Sequence, residues 1–270
     1  MEKNRPVGVF DSGVGGLSVL RALEQRLPGE NYLYFGDTAR APYGDRSAEE
    51  IRRFNLEIVN WLIAQDCKML LVACNTSTVF GLDAIKTAVS IPVFGMMEAI
   101  LAGTFGKGTE TVGTVGFIAT KGTVESGAYQ KAFTYAAPKN EFYALACPDF
   151  VPLVERGLLE GVEVDQAIRQ YLQPLQEKKI YTLILGCTHY PFLAPAISSF
   201  LGPDVRLVDP ADSLAALVEG HLRDNDLLSD NAENHRGSRV FYCSGDVLRF
   251  QSAGQIMLSH KMEDVRRKVF

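Results

Sequence analysis

Met69-Leu70-Leu71-Val72-Ala73-Cys74-Asn75-Thr76-Ser77-Thr78 and Thr182-Leu183-Ile184-Leu185-Gly186-Cys187-Thr188-His189-Tyr190-Pro191 share one plan: an apolar run, a cysteine, then a turn of small and polar residues. Apolar runs of this length read as strands buried on both faces of a parallel sheet. The turn marks the C-terminal end of each strand, where ligands bind in an open α/β sheet. Two thiols at matching places in two halves of one chain point to a pair of acid–base groups facing one substrate.

The alternation extends along the whole chain. Strands are expected over 7–11, 32–36, 69–73, 92–95, 114–118, 141–146, 181–186, 206–208 and 239–243, with helices over 17–27, 48–65, 125–136, 164–176 and 213–223. In the second helix Ile51, Phe54, Ile58, Trp61 and Leu62 fall on one face. Strands alternating with helices predict parallel sheets covered on both sides. A weak internal repeat refines this. Val7-Gly8-Val9-Phe10 opens one half and Val115-Gly116-Phe117-Ile118 the other, and the cysteine follows 66 residues after Gly8 and 71 after Gly116. The expected fold is α/β, with two doubly wound, mainly parallel-sheet domains related by pseudo-two-fold symmetry. The strand around Phe241 is expected to cross back, giving a discontinuous first domain of 1–97 plus 210–270 and a second of 98–209. The polar stretch 225–237 reads as an exposed loop.

Composition narrows the function classes. Of 270 residues, 47% are hydrophobic and 22% charged, with a net charge of −5 and no basic block. That argues against nucleic acid as the primary partner. No run is long and apolar enough to span a bilayer, and the first residues lack a signal-peptide core, so no membrane association and a cytoplasmic location are expected. Cys67, Cys74, Cys147, Cys187 and Cys243 are odd in number, scattered and without a C-x-x-C pair. This fits a reducing compartment and disfavours structural zinc.

Asp11-Ser12-Gly13-Val14-Gly15-Gly16 follows the first strand. It reads equally as a plain strand–helix turn or as a glycine turn bringing N–H groups to an anion. It matches neither the dinucleotide nor the P-loop spacing. Asp11, at the strand end, is placed to accept or deliver a proton. Asp37-Thr38-Ala39-Arg40-Ala41-Pro42-Tyr43-Gly44 reads by itself more readily as a plain polar loop than as one that brings Tyr43 to a ligand. Cys74 opens a helix, so its thiolate is expected to be stabilised and its pKa to fall from ~8.5 toward neutrality or below. Cys67, Cys147 and Cys243 read as packing residues, and His221, His235 and His260 as surface residues. Glu155, on a short helix between apolar residues, reads equally as half of a structural salt bridge.

Taken together, Asp11-Ser12-Gly13, Pro42-Tyr43-Gly44, Cys74-Asn75-Thr76, Val154-Glu155 and Gly186-Cys187-Thr188-His189-Tyr190-Pro191 resemble the glutamate racemase family, in order and across nearly the whole chain. The resemblance implies an active site in the cleft between the domains. It also implies cofactor-independent, metal-free interconversion of L- and D-glutamate, supplying D-glutamate for peptidoglycan. It casts Cys74 and Cys187 as the two acid/bases, Asp11 as assistant to Cys74, and Glu155 and His189 as assistants to Cys187. Cys74 would take the proton from D-glutamate and Cys187 from L-glutamate. Asp11, Ser12, Tyr43, Gly44, Asn75, Thr76, Thr188 and His189 would line the substrate site, with Thr120 and Thr123 as further candidates. A homodimer is one arrangement that the family allows. A racemase of aspartate or a hydantoin, and a non-catalytic two-lobed amino-acid-binding protein, remain alternatives.

Overall fold

The computed structural model describes residues 2–106, 113–233 and 236–270. Among the described residues, ten strands form two all-parallel sheets. The first sheet has the order β10-β9-β2-β1-β3-β4, built from β1 (Val7–Asp11), β2 (Tyr32–Gly36), β3 (Met69–Val72), β4 (Val93–Gly95), β9 (Arg239–Cys243) and β10 (Val265–Arg267). The second has the order β6-β5-β7-β8, from β5 (Val115–Ala119), β6 (Phe142–Ala146), β7 (Thr182–Leu185) and β8 (Arg206–Val208). In both sheets the first four strands in chain order run second, first, third, fourth, and in the first sheet β9 and β10 extend the β2 edge. Helices α1 (Leu17–Arg26), α2 (Ala48–Ala64), α3 (Asn75–Ala88) and α4 (Met96–Phe105) follow β1 to β4 in turn. Then come α5 (Lys121–Glu125), α6 (Ala128–Ala136), α7 (Phe150–Glu155), α8 (Val162–Glu177), α9 (Ala194–Leu201), α10 (Pro210–Asp224) and α11 (Val247–Leu258).

The central strands β1, β3, β5 and β7 are buried along their whole length. Helices cover both faces, which is why their sequences are continuous apolar runs instead of alternating ones. The apolar face of α2 buries Ile51, Phe54, Ile58 and Leu62, while Ser47 and Glu50 close a capping box at its start. Trp61 is internal packing: its ring lies 4.7 Å from Tyr242 and 5.5 Å from Phe35, centroid to centroid. α4 leads from the first sheet to the second and α10 leads back, and the two pack against each other.

Several expectations need correction. The helix expected over 125–136 breaks at Gly127, whose φ of 65° is left-handed, leaving α5 and α6. β10 was not expected; its Val265-Arg266-Arg267 carries no apolar run to mark it. The segment 225–237 is not simply exposed. Ser229 is buried, and its N–H donates to Glu30 Oε1 at 2.7 Å, beside a buried Glu30–Lys68 ion pair of 2.5 Å. His260 is half-buried on Glu24, at 2.6 Å, and His221 is half-buried edge-on to Phe94, so neither is a plain surface residue. His235 lies outside the described residues.

Candidate active site

The two halves end their strands in the same way. Ala73 N–H donates to Phe10 C=O at 2.9 Å, and Gly186 N–H donates to Ile118 C=O at 2.7 Å. Asp37 N–H donates to Asp11 C=O, and Cys147 N–H to Ala119 C=O, both at 3.0 Å. By these bonds Cys74 and Cys187 stand at equivalent places, two residues past the end of β3 and of β7. Both line one cavity of about 30 Å³ between the sheets. That is room for one or two water molecules, far less than an amino acid. A crevice of about 420 Å³ adjoins it, sharing Pro42, Gly44, Thr120, Val151 and Glu155, and forms its mouth.

Around Cys74 the groups are acidic or neutral. Its thiol donates to Ser12 Oγ at 3.7 Å, and its Sγ accepts the Ser77 N–H at 3.4 Å as the N-cap of α3. The helix-end contact is therefore present, but the expected fall in pKa is not. Burial and the neighbouring Asp11 carboxylate push the Cys74 thiol up to about 11, outweighing the Ser77 and Ser12 bonds. Asp11 is wholly buried behind the cavity. It accepts the Gly13 N–H at 2.9 Å and the Thr188 hydroxyl at 3.3 Å. The anion that the glycine turn holds is thus the protein's own Asp11 carboxylate. Gly15 serves a different need: a Cβ there would collide with Thr188 Oγ1 and His189 Nδ1.

Around Cys187 the partner is basic. His189 Nδ1 lies 3.9 Å from Cys187 Sγ, and its Nε2 lies 3.3 Å from Glu155 Oε1. The second contact is an ion pair, out of line for a hydrogen bond. Burial opposes a charge on His189, yet Cys187, Glu155 and Asp11 together push its pKa up to about 10. These neighbours favour the imidazolium form of His189. In the other half the corresponding place holds Thr76, and opposite Asp11 stands Ala119.

The remaining expected residues gather at the same place. Ser12, Tyr43, Gly44, Asn75, Thr76, Thr120, Glu155, Thr188 and His189 all line the cavity. Tyr43 is held by its hydroxyl on the buried Asp37 carboxylate, which also accepts from Ser244 Oγ at 2.7 Å. Thr123 stands behind, in a triangle of hydroxyls with Thr76 and Thr120 at 2.9–3.1 Å. Gly122 N–H donates to Gly44 C=O at 3.1 Å, tying the two halves together beside the cavity that Gly44 lines. Val151 also lines it, and its apolar side chain gave no signal in the sequence. All five cysteines are free thiols, and Cys67, Cys147 and Cys243 are buried packing residues as expected. Among the described residues, no group of three or more His, Cys, Asp and Glu side chains could hold a metal ion, and no helix is long and apolar enough to cross a membrane.

Residues 7–218 match the model of the Asp/Glu/hydantoin racemase family. A protein named glutamate racemase from Thermoanaerobacter pseudethanolicus is 42% identical over 263 residues, covering 97% of this chain and 96% of its own. The chain belongs to the glutamate racemase family. It is thus an enzyme, an isomerase of the amino-acid racemase class. Solved glutamate racemases share its two-sheet fold. The Francisella tularensis protein, solved in complex with D-glutamate, superposes with a TM-score of 0.90 at 34% identity, covering 99% of this chain and 98% of that one. The Thermus thermophilus glutamate racemase, solved with β-chloro-D-alanine, gives 0.86 at 40% identity, with the same coverage.

Proposed function

We propose that this protein interconverts L- and D-glutamate by moving the α-proton between Cys187 and Cys74, and that it supplies D-glutamate for peptidoglycan in the cytoplasm. The observation that carries this reading is the equivalent placement of two buried thiols on one cavity between two sheets. The glutamate named for the relatives supplies the substrate. The catalytic lobes on this reading are 1–97 with 210–270, and 98–209.

Inversion at the α-carbon removes a proton from one face and returns one to the other. Burial and Asp11 favour the protonated form of Cys74, which suits it as the acid. Cys187 is then the base, with the basic His189 ring 3.9 Å from its sulfur. In the L-to-D direction the Cys187 thiolate takes the α-proton. An S–H bond forms, the C–H bond breaks, and the electron pair spreads into the α-carboxylate. Cys74 then delivers its proton to the opposite face and becomes the thiolate. Its new charge is buffered by the Ser77 N–H and Ser12 hydroxyl, while Asp11 is the group placed to relay a proton. The reverse direction runs the same steps backwards.

The carbanion is the difficult species. Enzymes lower such barriers by roughly 8–23 kcal/mol, and no single group supplies that. Here short donors converge on the cavity: the Ser12, Thr76 and Thr188 hydroxyls are placed to hold the α-carboxylate where charge develops, and the Asn75 amide is placed to bind a substrate carboxylate before the reaction begins. Closing the mouth excludes water and strengthens each contact. No electron-sink cofactor and no metal are required by this chemistry. The deciding experiment follows the circular dichroism of L-glutamate, D-glutamate and L-aspartate with the pure protein in chelator. Racemisation of both glutamate enantiomers, with solvent deuterium entering the α-position, is expected. A strict need for added pyridoxal phosphate, or a preference for aspartate, would overturn the reading.

A further inference from the structure

Asn75 has one side-chain atom accounted for and one orphaned. Its Oδ1 accepts the Tyr129 hydroxyl at 2.6 Å. Its Nδ2 is buried and has no hydrogen-bond partner among the described residues, and Asn75 lines the cavity. The two residues come from opposite halves. Asn75 opens α3 beside the first sheet, whereas Tyr129 stands on α6 beside the second, its ring packed on Phe117 at 4.6 Å between centroids.

We infer that Tyr129 is a positioning residue that fixes the Asn75 amide with its two N–H donors toward a substrate carboxylate. An amide has nearly the same shape either way round, so its orientation is decided by its partners. The Tyr129 phenol carries one proton, and Asn75 Oδ1 is the acceptor the structure gives it. A flipped amide would orphan that buried proton and turn a carbonyl dipole toward the anion. Burial also holds the phenol well above its ordinary pKa, so it stays a donor throughout the working pH range. Because the donor arrives from the facing half, the amide is locked only while the two halves are together. Substrate grip and closure are coupled through one hydroxyl.

This inference rests on the proposed placement of a glutamate carboxylate against Asn75. Tyr129→Phe removes the hydroxyl and keeps the ring packed on Phe117. The expected result is a KM for both glutamate enantiomers raised about tenfold, the order expected for one lost buried hydrogen bond. kcat should stay within about twofold, the pattern of lost ground-state binding, with the melting temperature nearly unchanged. The double variant Asn75→Ala/Tyr129→Phe is expected to bind no worse than Asn75→Ala alone, because Tyr129 acts through Asn75. An unchanged KM in folded Tyr129→Phe, or additive losses in the double variant, overturns the inference while leaving racemisation intact. A wild-type protein that does not racemise glutamate overturns the functional reading and this inference with it.

Discussion

Cys74 Sγ accepts a backbone N–H from Ser77 and faces the Asp11 carboxylate, whereas Cys187 Sγ has the His189 ring at 3.9 Å. Equivalent places thus carry opposite surroundings, and two predictions follow at this scale. Cys74→Ser and Cys187→Ser should each lose racemisation, by at least the 10²–10⁴-fold typical of an acid–base group. Elimination from a β-chloro substrate needs only one proton abstraction, so Cys74→Ser should retain it with the L-form and Cys187→Ser with the D-form. One variant eliminating from both enantiomers at similar rates would sink the two-thiol assignment. The second prediction concerns His189, whose pKa rises from its ordinary 6.5 to about 10 on folding. Below pH 6.5 the imidazole is protonated folded or unfolded, and its ion pairing contributes fully to stability. Between about 6.5 and 10 only the folded form keeps the proton, so this contribution declines and is lost through the folded pKa. Urea midpoints of wild type should therefore fall more steeply over that window than those of His189→Asn; parallel curves would refute the protonated imidazole.

Strand and helix ends decide where these side chains stand. The turn after β1 approaches the second half so closely that a Cβ at Gly15 would strike Thr188 and His189. Gly15→Ala is expected to push His189 away from Cys187 and reduce turnover about a hundredfold, at the low end of acid–base effects. Its far-UV spectrum should match wild type; full activity in that variant would show that the approach is not needed. Much of this scale was legible in the sequence. Apolar runs of period-free Leu, Val and Ile marked every strand but one to within a residue or two, because buried parallel strands need apolar residues on both faces. β10 escaped because an edge strand of Val265-Arg266-Arg267 buries almost nothing. The site motifs were legible because the cysteines close those runs. Tyr129 was not, because nothing in its helix signals a hydrogen bond to a residue 54 positions earlier. The direction of the Cys74 shift was misread for a related reason. A helix end is visible in sequence, whereas the depth of burial and the neighbouring Asp11 emerge only from packing.

Over the whole molecule, the cavity of about 30 Å³ is smaller than glutamate, and Gly44, which lines it, is bonded to Gly122 of the second half. Substrate entry then requires the halves to part, and bound substrate should hold them together. Saturating D-glutamate is expected to slow hydrogen exchange at the Gly122 amide by about tenfold or more. Exchange unaffected by substrate at that amide would mean that entry takes another route. The two halves are tied elsewhere by α4 and α10, which pack together where the chain crosses out and back.

That return crossing also sets a schedule for synthesis. β2 lies inside the first sheet only because β9 pairs along it, Tyr32 opposite Arg239 and Gly36 opposite Cys243. Asp37 and its partner Ser244, just beyond those strands, are 207 positions apart in the chain. At about 5–20 residues per second on a ribosome, β2 waits on the order of 10–40 s for its neighbour. Meanwhile β5 to β8 have all been made. The nascent chain therefore carries one sheet ready to form and another with an open row of backbone donors and acceptors, a template for pairing with a neighbouring chain. Chaperone dependence in this protein should be concentrated in that interval, and should end once residues 239–243 emerge.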